Sequence, residues 1–130
     1  VSAPRKKWWD EIYRGHIAVA LDFDGTLVYS RKFPAFGELQ RGAITAWRAF
    51  EKAGLKVIVF TARRHKRPVW KFLLRHKLIP WKVTSAKPKE AYAMVDDRSI
   101  RYEGNWAAAF HAAMRQIEEE KRKIKKRERG

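Results

Sequence analysis

Two short runs, Ile17–Leu21 and Val57–Phe60, are apolar at every position. A strand with one wet face alternates between apolar and polar side chains. An unbroken apolar run belongs to a strand covered on both faces, as in a parallel sheet packed between other layers. Both runs are far too short for a membrane span or the apolar core of a signal peptide.

The segments around them complete the pattern. Strands are expected at Ile17–Phe23, Lys56–Thr61, Trp81–Thr84 and Ala91–Asp96. Gly42–Ala53 reads as an amphipathic helix with Ala43, Trp47 and Phe50 on one face and Gly54 as its stop. Pro68–Lys77 reads as a second, with Pro68 tolerated in the first turn and Val69, Phe72 and Leu73 facing inward. A long helix is expected from Asn105, with Trp106, Phe110, Met114 and Ile117 on one stripe. Beyond Ile117 only Ile124 is apolar, so a solvated or frayed end is expected there. Residues 1–15 form a lead segment with Trp8, Trp9, Ile12 and Tyr13 at roughly helical spacing. Strands alternating with helices predict an α/β domain on a parallel sheet. The 130 residues suit one such domain, 1–130, with a basic tail over 120–130.

Ligands of such sheets bind beyond the carboxyl ends of the strands. The first strand ends in Asp22-Phe23-Asp24-Gly25-Thr26, and the fourth ends in Asp96-Asp97. These are four of the five aspartates in the chain, so the clustering is not that of a solvated acidic surface. Carboxylates crowded at a strand end repel one another unless a cation sits among them. Oxygen ligands favour a hard divalent ion, and Mg²⁺ is the usual one beside phosphates. The second strand ends in Thr61, whose hydroxyl suits a phosphate oxygen, and Lys87 precedes the fourth strand. Gly25 lets the chain turn sharply and brings main-chain amides toward a bound anion.

Asp22-Phe23-Asp24-Gly25-Thr26, Thr61, Lys87 and Asp96-Asp97, in this order, resemble the four signature motifs of the haloacid dehalogenase (HAD) superfamily over roughly residues 17–106. The resemblance implies a Rossmann-like three-layer domain, with the Asp22 strand central and helices on both faces. It implies a Mg²⁺-dependent phosphatase in which Asp22 attacks phosphorus and Asp24 serves as acid and then base. Thr61 and Lys87 would hold phosphoryl oxygens, with Lys89 the alternative lysine. Asp22, Asp24, Asp96 and Asp97 would form the metal site, either of the last two being the direct ligand. The segments Leu27–Arg41 and Arg63–Ala86 are too short for an inserted cap domain, so the likeness is to small capless members. Lys87-Pro88, Asp96-Asp97-Arg98 and Asn105-Trp106 strengthen that likeness.

Charge suggests the partner. The formal net charge is +16, and Arg63–Lys89 holds ten Lys/Arg and no acid. Polyanions such as nucleotides or nucleic acid follow from that balance, with Trp70 and Trp81 as candidate base-stacking residues. A solvated basic surface around two core tryptophans is the plainer alternative. The tail from Lys121 to Arg129 carries seven basic residues and one acid, a further candidate phosphate contact. Two function classes follow: a phosphomonoester hydrolase, or a nucleic-acid-binding module on the same scaffold with weak or lost catalysis. Cysteine is absent, which excludes disulfides, thiolate zinc sites and cysteine nucleophiles and fits a cytoplasmic setting. The loop after Asp22 is no EF-hand, since Phe33 stands where the closing glutamate would be. Walker A and Gly-x-Gly-x-x-Gly sequences are missing, and the four histidines lack metal-ligand spacing. For Arg63 and Arg98 a structural ion pair is the first expectation, and contact with a substrate phosphate the second.

Overall fold

β1 (Ile17–Asp22) is the apolar run, and Ala18 to Leu21 are wholly buried in it. β2 (Leu55–Phe60) lies beside it in parallel register, from Ile17 against Leu55 to Asp22 against Phe60. β3 (Lys82–Thr84) extends the sheet beyond β2, while β4 (Ala91–Asp96) and β5 (Ile100–Arg101) extend it on the other side of β1. The sheet is parallel throughout, in the order β3-β2-β1-β4-β5, with β1 at its centre. Among the described residues there are three helices: α1 (Ala43–Lys52), α2 (Arg67–Arg75) and α3 (Trp106–Arg129). The protein is thus an α/β three-layer fold. This computed structural model describes residues 17–31, 35–89, 91–96 and 100–129. The lead segment 1–15 lies outside them.

The sheet is packed on both faces. On one, Val19, Leu21, Val57 and Val59 meet Trp47 and Phe50 of α1, Val69 and Leu73 of α2, and Trp106, Ala113 and Ile117 of α3. On the other, Ala18, Ala20 and Ile58 are fully buried, with Trp81, Ala91 and Met94 against them. Burying a branched or aromatic side chain contributes roughly 1.5–3 kcal/mol. Among the described residues the first face buries more of the large side chains. Trp81 packs into the second face and is half-buried, as is Trp70.

The helix ends follow local chemistry. Asn105 caps α3 by accepting from the Ala108 amide at 3.1 Å. α2 closes with the Leu78 amide donating to the Leu73 carbonyl at 2.9 Å and Lys77 at φ 59°. The basic end of the chain does not fray: α3 continues to Arg129. The apolar stripe ends at Ile117, but the residues after it are strong helix formers. Glu118–Lys121 and Glu120–Lys123 ion pairs, each at 3.3 Å and one turn apart, support the extension.

Between β3 and β4 there are only six residues, 85–90. A parallel connection normally takes a dozen or more, with a helix. Here Thr84 Oγ1 accepts from the Ala86 amide at 3.0 Å, Pro88 is buried, and the Ala91 amide donates to the Pro88 carbonyl at 3.3 Å.

Candidate active site

In a sheet of this order the chain leaves β1 toward β2 and β3, then returns to the far side of β1 as β4. The strands stay parallel, but the side on which new strands are added switches at β1. Crevices form at the carboxyl ends on either side of such a switch point. Asp22 ends β1 and Asp96 ends β4, and the register sets Leu21 against Val95 immediately before them. Adjacent strands lie about 4.8 Å apart, so the two carboxylates rise from neighbouring positions on the rim. Thr61 follows Phe60, the partner of Asp22, on the other side.

The turn after β1 is built by its own main chain. The Phe23 carbonyl accepts from the amides of Leu27 at 3.0 Å and Val28 at 3.1 Å, and the Gly25 amide donates to the Val28 carbonyl at 2.9 Å. Gly25 sits at φ 78°, where a side chain would be strained. Phe23, Thr26, Leu27 and Val28 are buried beneath the turn, while Asp22 and Asp24 remain partly exposed. The Phe23 amide donates to Asp22 Oδ1 at 2.9 Å. The ribbon continues to Gly37, where an added Cβ would lie 1.9 Å from the Tyr29 carbonyl oxygen.

Asp24 is held from β2's side of the site. Arg63 Nε donates to Asp24 Oδ2 at 2.8 Å, and its Nη2 donates to Oδ1 at 2.8 Å. The same Nη2 donates to the Ala35 carbonyl at 2.9 Å. The guanidinium lies 4.3 Å from the centre of the Phe36 ring. Arg63 is 5% exposed, so this pair works in a poorly hydrated setting where geometry matters most. The expected structural pairing of Arg63 is therefore present, and its partner is a candidate catalytic residue. Arg98 lies outside the described residues.

Thr61 is 1% exposed, and its hydroxyl oxygen accepts from the Arg63 amide at 3.1 Å. Among the described residues that hydroxyl donates to nothing, which leaves its proton for a ligand at the strand end. Lys87 stands exposed on the connection before β4 and makes no hydrogen bond or ion pair among the described residues. Lys89 is exposed two residues on, across the buried Pro88. Asp97 lies outside the described residues. Among those described there is no group of three or more His, Cys, Asp or Glu side chains arranged to hold a metal. Asp22 and Asp96 follow the paired residues Leu21 and Val95 on adjacent strands, and the Asp24 main-chain carbonyl accepts no hydrogen bond among the described residues. An all-oxygen set with one neutral member suits Mg²⁺, which keeps several waters and takes one or two carboxylates.

Sequence reasoning missed the aromatic wall of the site. Phe23, Phe36 and Phe72 meet edge to face, with centroids 5.4–5.7 Å apart. Phe36 carries no periodic signal, and its contacts with Phe23, Phe72 and Arg63 reveal its place.

Fold and site together define an α/β protein with Asp22 and Asp96 at the ends of adjacent strands at the switch point of a parallel sheet. No protein-family model matches the chain, and no curated protein matches it. Among solved structures the chain is similar to a conserved protein from Bacteroides thetaiotaomicron, at 19% identity and a TM-score of 0.65, covering 78% of this chain and 92% of that one. At that identity the likeness speaks for the fold alone. Among the described residues no helix is long and apolar enough to cross a membrane.

Proposed function

We propose that this protein is a capless, HAD-type phosphomonoester hydrolase that works through an aspartyl-phosphate intermediate. The observation that carries the reading is the juxtaposition of Asp22, Asp24, Thr61 and Asp96 at the switch-point end of the central strands, with Asp24 gripped by Arg63.

A carboxylate oxygen of Asp22 bonds to phosphorus while the bond from phosphorus to the ester oxygen breaks. The departing oxygen takes a proton from Asp24. Water then returns a proton to Asp24 as its oxygen attacks phosphorus, the Asp22–phosphorus bond breaks, and inorganic phosphate leaves. Asp24 meets Arg63 through both oxygens, which fixes its position and orientation. Its acid step needs one oxygen released from the fork to carry the proton. The Thr61 hydroxyl and Lys87, or Lys89 in its place, would bind phosphoryl oxygens and balance their charge. Asp22, Asp96 and the Asp24 carbonyl, with Asp97 the other candidate, would hold Mg²⁺, which supplies charge neutralisation at the phosphoryl group.

The rival reading, a nucleic-acid-binding module with weak or lost catalysis, draws on the basic run beside the site. Turnover separates the two. Mg²⁺-dependent release of p-nitrophenol from its phosphate ester, abolished by Asp22→Asn, supports the hydrolase. Binding of oligonucleotide with no turnover supports the module.

A further inference from the structure

Against the aromatic wall lies a cavity of about 310 Å³ lined by Phe36, Arg67, Pro68, Lys71, Phe72 and Arg75. Three of the six are cations and none is an acid. Arg67, Lys71 and Arg75 recur every four residues along α2, so they share one face of it. All three are exposed, whereas Phe36 and Phe72 are half-buried and form the floor. A second cavity, along α3, mixes Arg115 and Arg122 with Glu118 and Glu119 and shows no such bias. The basic cavity is also close to the chemistry. Phe36 stacks under Arg63, and Arg63 holds Asp24, the residue that serves the leaving group in the proposed reaction.

We propose that this cavity seats the end of a single-stranded nucleic acid, whose terminal phosphate then reaches Asp22. A half-exposed aromatic floor can stack a base, and a row of cations can follow the chain's phosphodiesters. The stacking surface is Phe36 and Phe72, not Trp81, which packs into the second face of the sheet. The inference rests on the hydrolase reading only for the delivery of the terminal phosphate. The cavity's affinity for the chain is independent of turnover.

Binding is measured by fluorescence anisotropy on the full-length protein carrying Asp22→Asn, so that nothing is consumed. The probe is a labelled oligothymidylate of about six nucleotides, within the site size of small single-strand binders, with a phosphate at its 5′ end or its 3′ end. Affinity is expected to fall with salt at a slope of roughly 2, since each of three phosphates neutralised on a single strand contributes about 0.7. Lys71→Glu with Arg75→Glu should weaken binding at least about tenfold and lower the slope by roughly 1.4. The same variant is melted by circular dichroism. If it does not unfold cooperatively, Lys71→Ala with Arg75→Ala takes its place. Unchanged affinity and slope overturn the proposal. So does equal binding of an abasic chain, which would leave no base seat, or equal competition by polyglutamate of the same length, which would point to an acidic protein. Turnover of p-nitrophenyl phosphate by the wild-type chain tests the hydrolase separately. Turnover without oligonucleotide binding removes the cavity and leaves the hydrolase; binding without turnover does the reverse.

Discussion

Arg63 grips Asp24 across 39 residues of sequence, each carboxylate oxygen 2.8 Å from a guanidinium nitrogen. The fork fixes both the position and the rotation of the carboxylate, which a single hydrogen bond could not do. The arginine is itself fixed, by the Ala35 carbonyl and the Phe36 ring. Arg63 is thus a positioning residue for the proposed acid and base.

Replacing it should separate position from charge. Arg63→Lys keeps a cation but offers a point charge in place of the fork. We expect kcat on p-nitrophenyl phosphate to fall about a hundredfold, within the range that general acid–base catalysis contributes, while KM moves little. Arg63→Met should fall further, and the lysine variant should recover part of the loss. Removing one partner of a buried pair costs about 3–5 kcal/mol, and the partial exposure of Asp24 reduces this to about 1–3 kcal/mol in urea unfolding. A matched rise in KM, or a lysine variant no better than methionine, would contradict the positioning role.

Asp22→Asn is nearly isosteric and removes the attacking charge. Turnover should drop below a few per cent of wild type, while the unfolding midpoint stays close to that of the parent. Acid quench of the wild type during turnover should trap phosphate on the protein, and the variant should trap none. Substantial residual rate in the variant would reassign the nucleophile.

Activity should require Mg²⁺ and vanish in excess chelator. Asp96→Ala should raise the Mg²⁺ concentration needed for half-maximal rate by tenfold or more, since it removes one of the carboxylates proposed to hold the ion. Full activity under chelation would end the metal assignment.

Gly37→Ala tests the ribbon that carries Phe36 and Ala35 to Arg63. The new methyl would sit 1.9 Å from the Tyr29 carbonyl oxygen, and that contact is with main chain. The Tyr29 amide, at 2.8 Å from the Glu38 carbonyl, holds the same ribbon closed. Opening it should cost about 1–3 kcal/mol, the usual scale of overpacking, and should lower kcat through the displaced Arg63. Unchanged stability would mean the ribbon shifts freely.

The sequence made the sheet legible through short apolar runs. β1, β2 and β4 were readable from Ile17–Leu21, Val57–Phe60 and Ala91–Val95, and α1 because its buried face repeats at helical spacing. β5 has two residues and no pattern of its own; it exists through its pairing with Val95 and Asp96. Of the two expectations for the basic end of α3, solvated holds and frayed does not, because its last turns stand on propensity and ion pairs rather than on an apolar stripe. At the candidate site, Asp22, Asp24, Thr61 and Asp96 were found because strand ends could be located. Phe72 was legible as an inward-facing helix residue, but the partner of Arg63 and the place of Phe36 depend on contacts between segments far apart in sequence, which no local pattern encodes.

The six-residue link between β3 and β4 acts as a ruler. From Thr84 to Ala91 the chain moves sideways by three strand spacings and back by about four residues of strand, roughly 19 Å in all. Seven residue steps reach at most about 25 Å when fully extended, and the last three are spent in the turn closed by Pro88 and Ala91. Little slack remains. The height at which β4 enters the sheet, and hence the level of Asp96 beside Asp22, is metered by the length of this link. The β1–β4 register shifts by one residue between Ala18 and Val19. Shortening the link by one residue would draw β4 out of step, and a one-residue slip turns every side chain of a strand to its opposite face. A deletion there, far from the carboxylates in sequence, would detune the site as surely as replacing one of them.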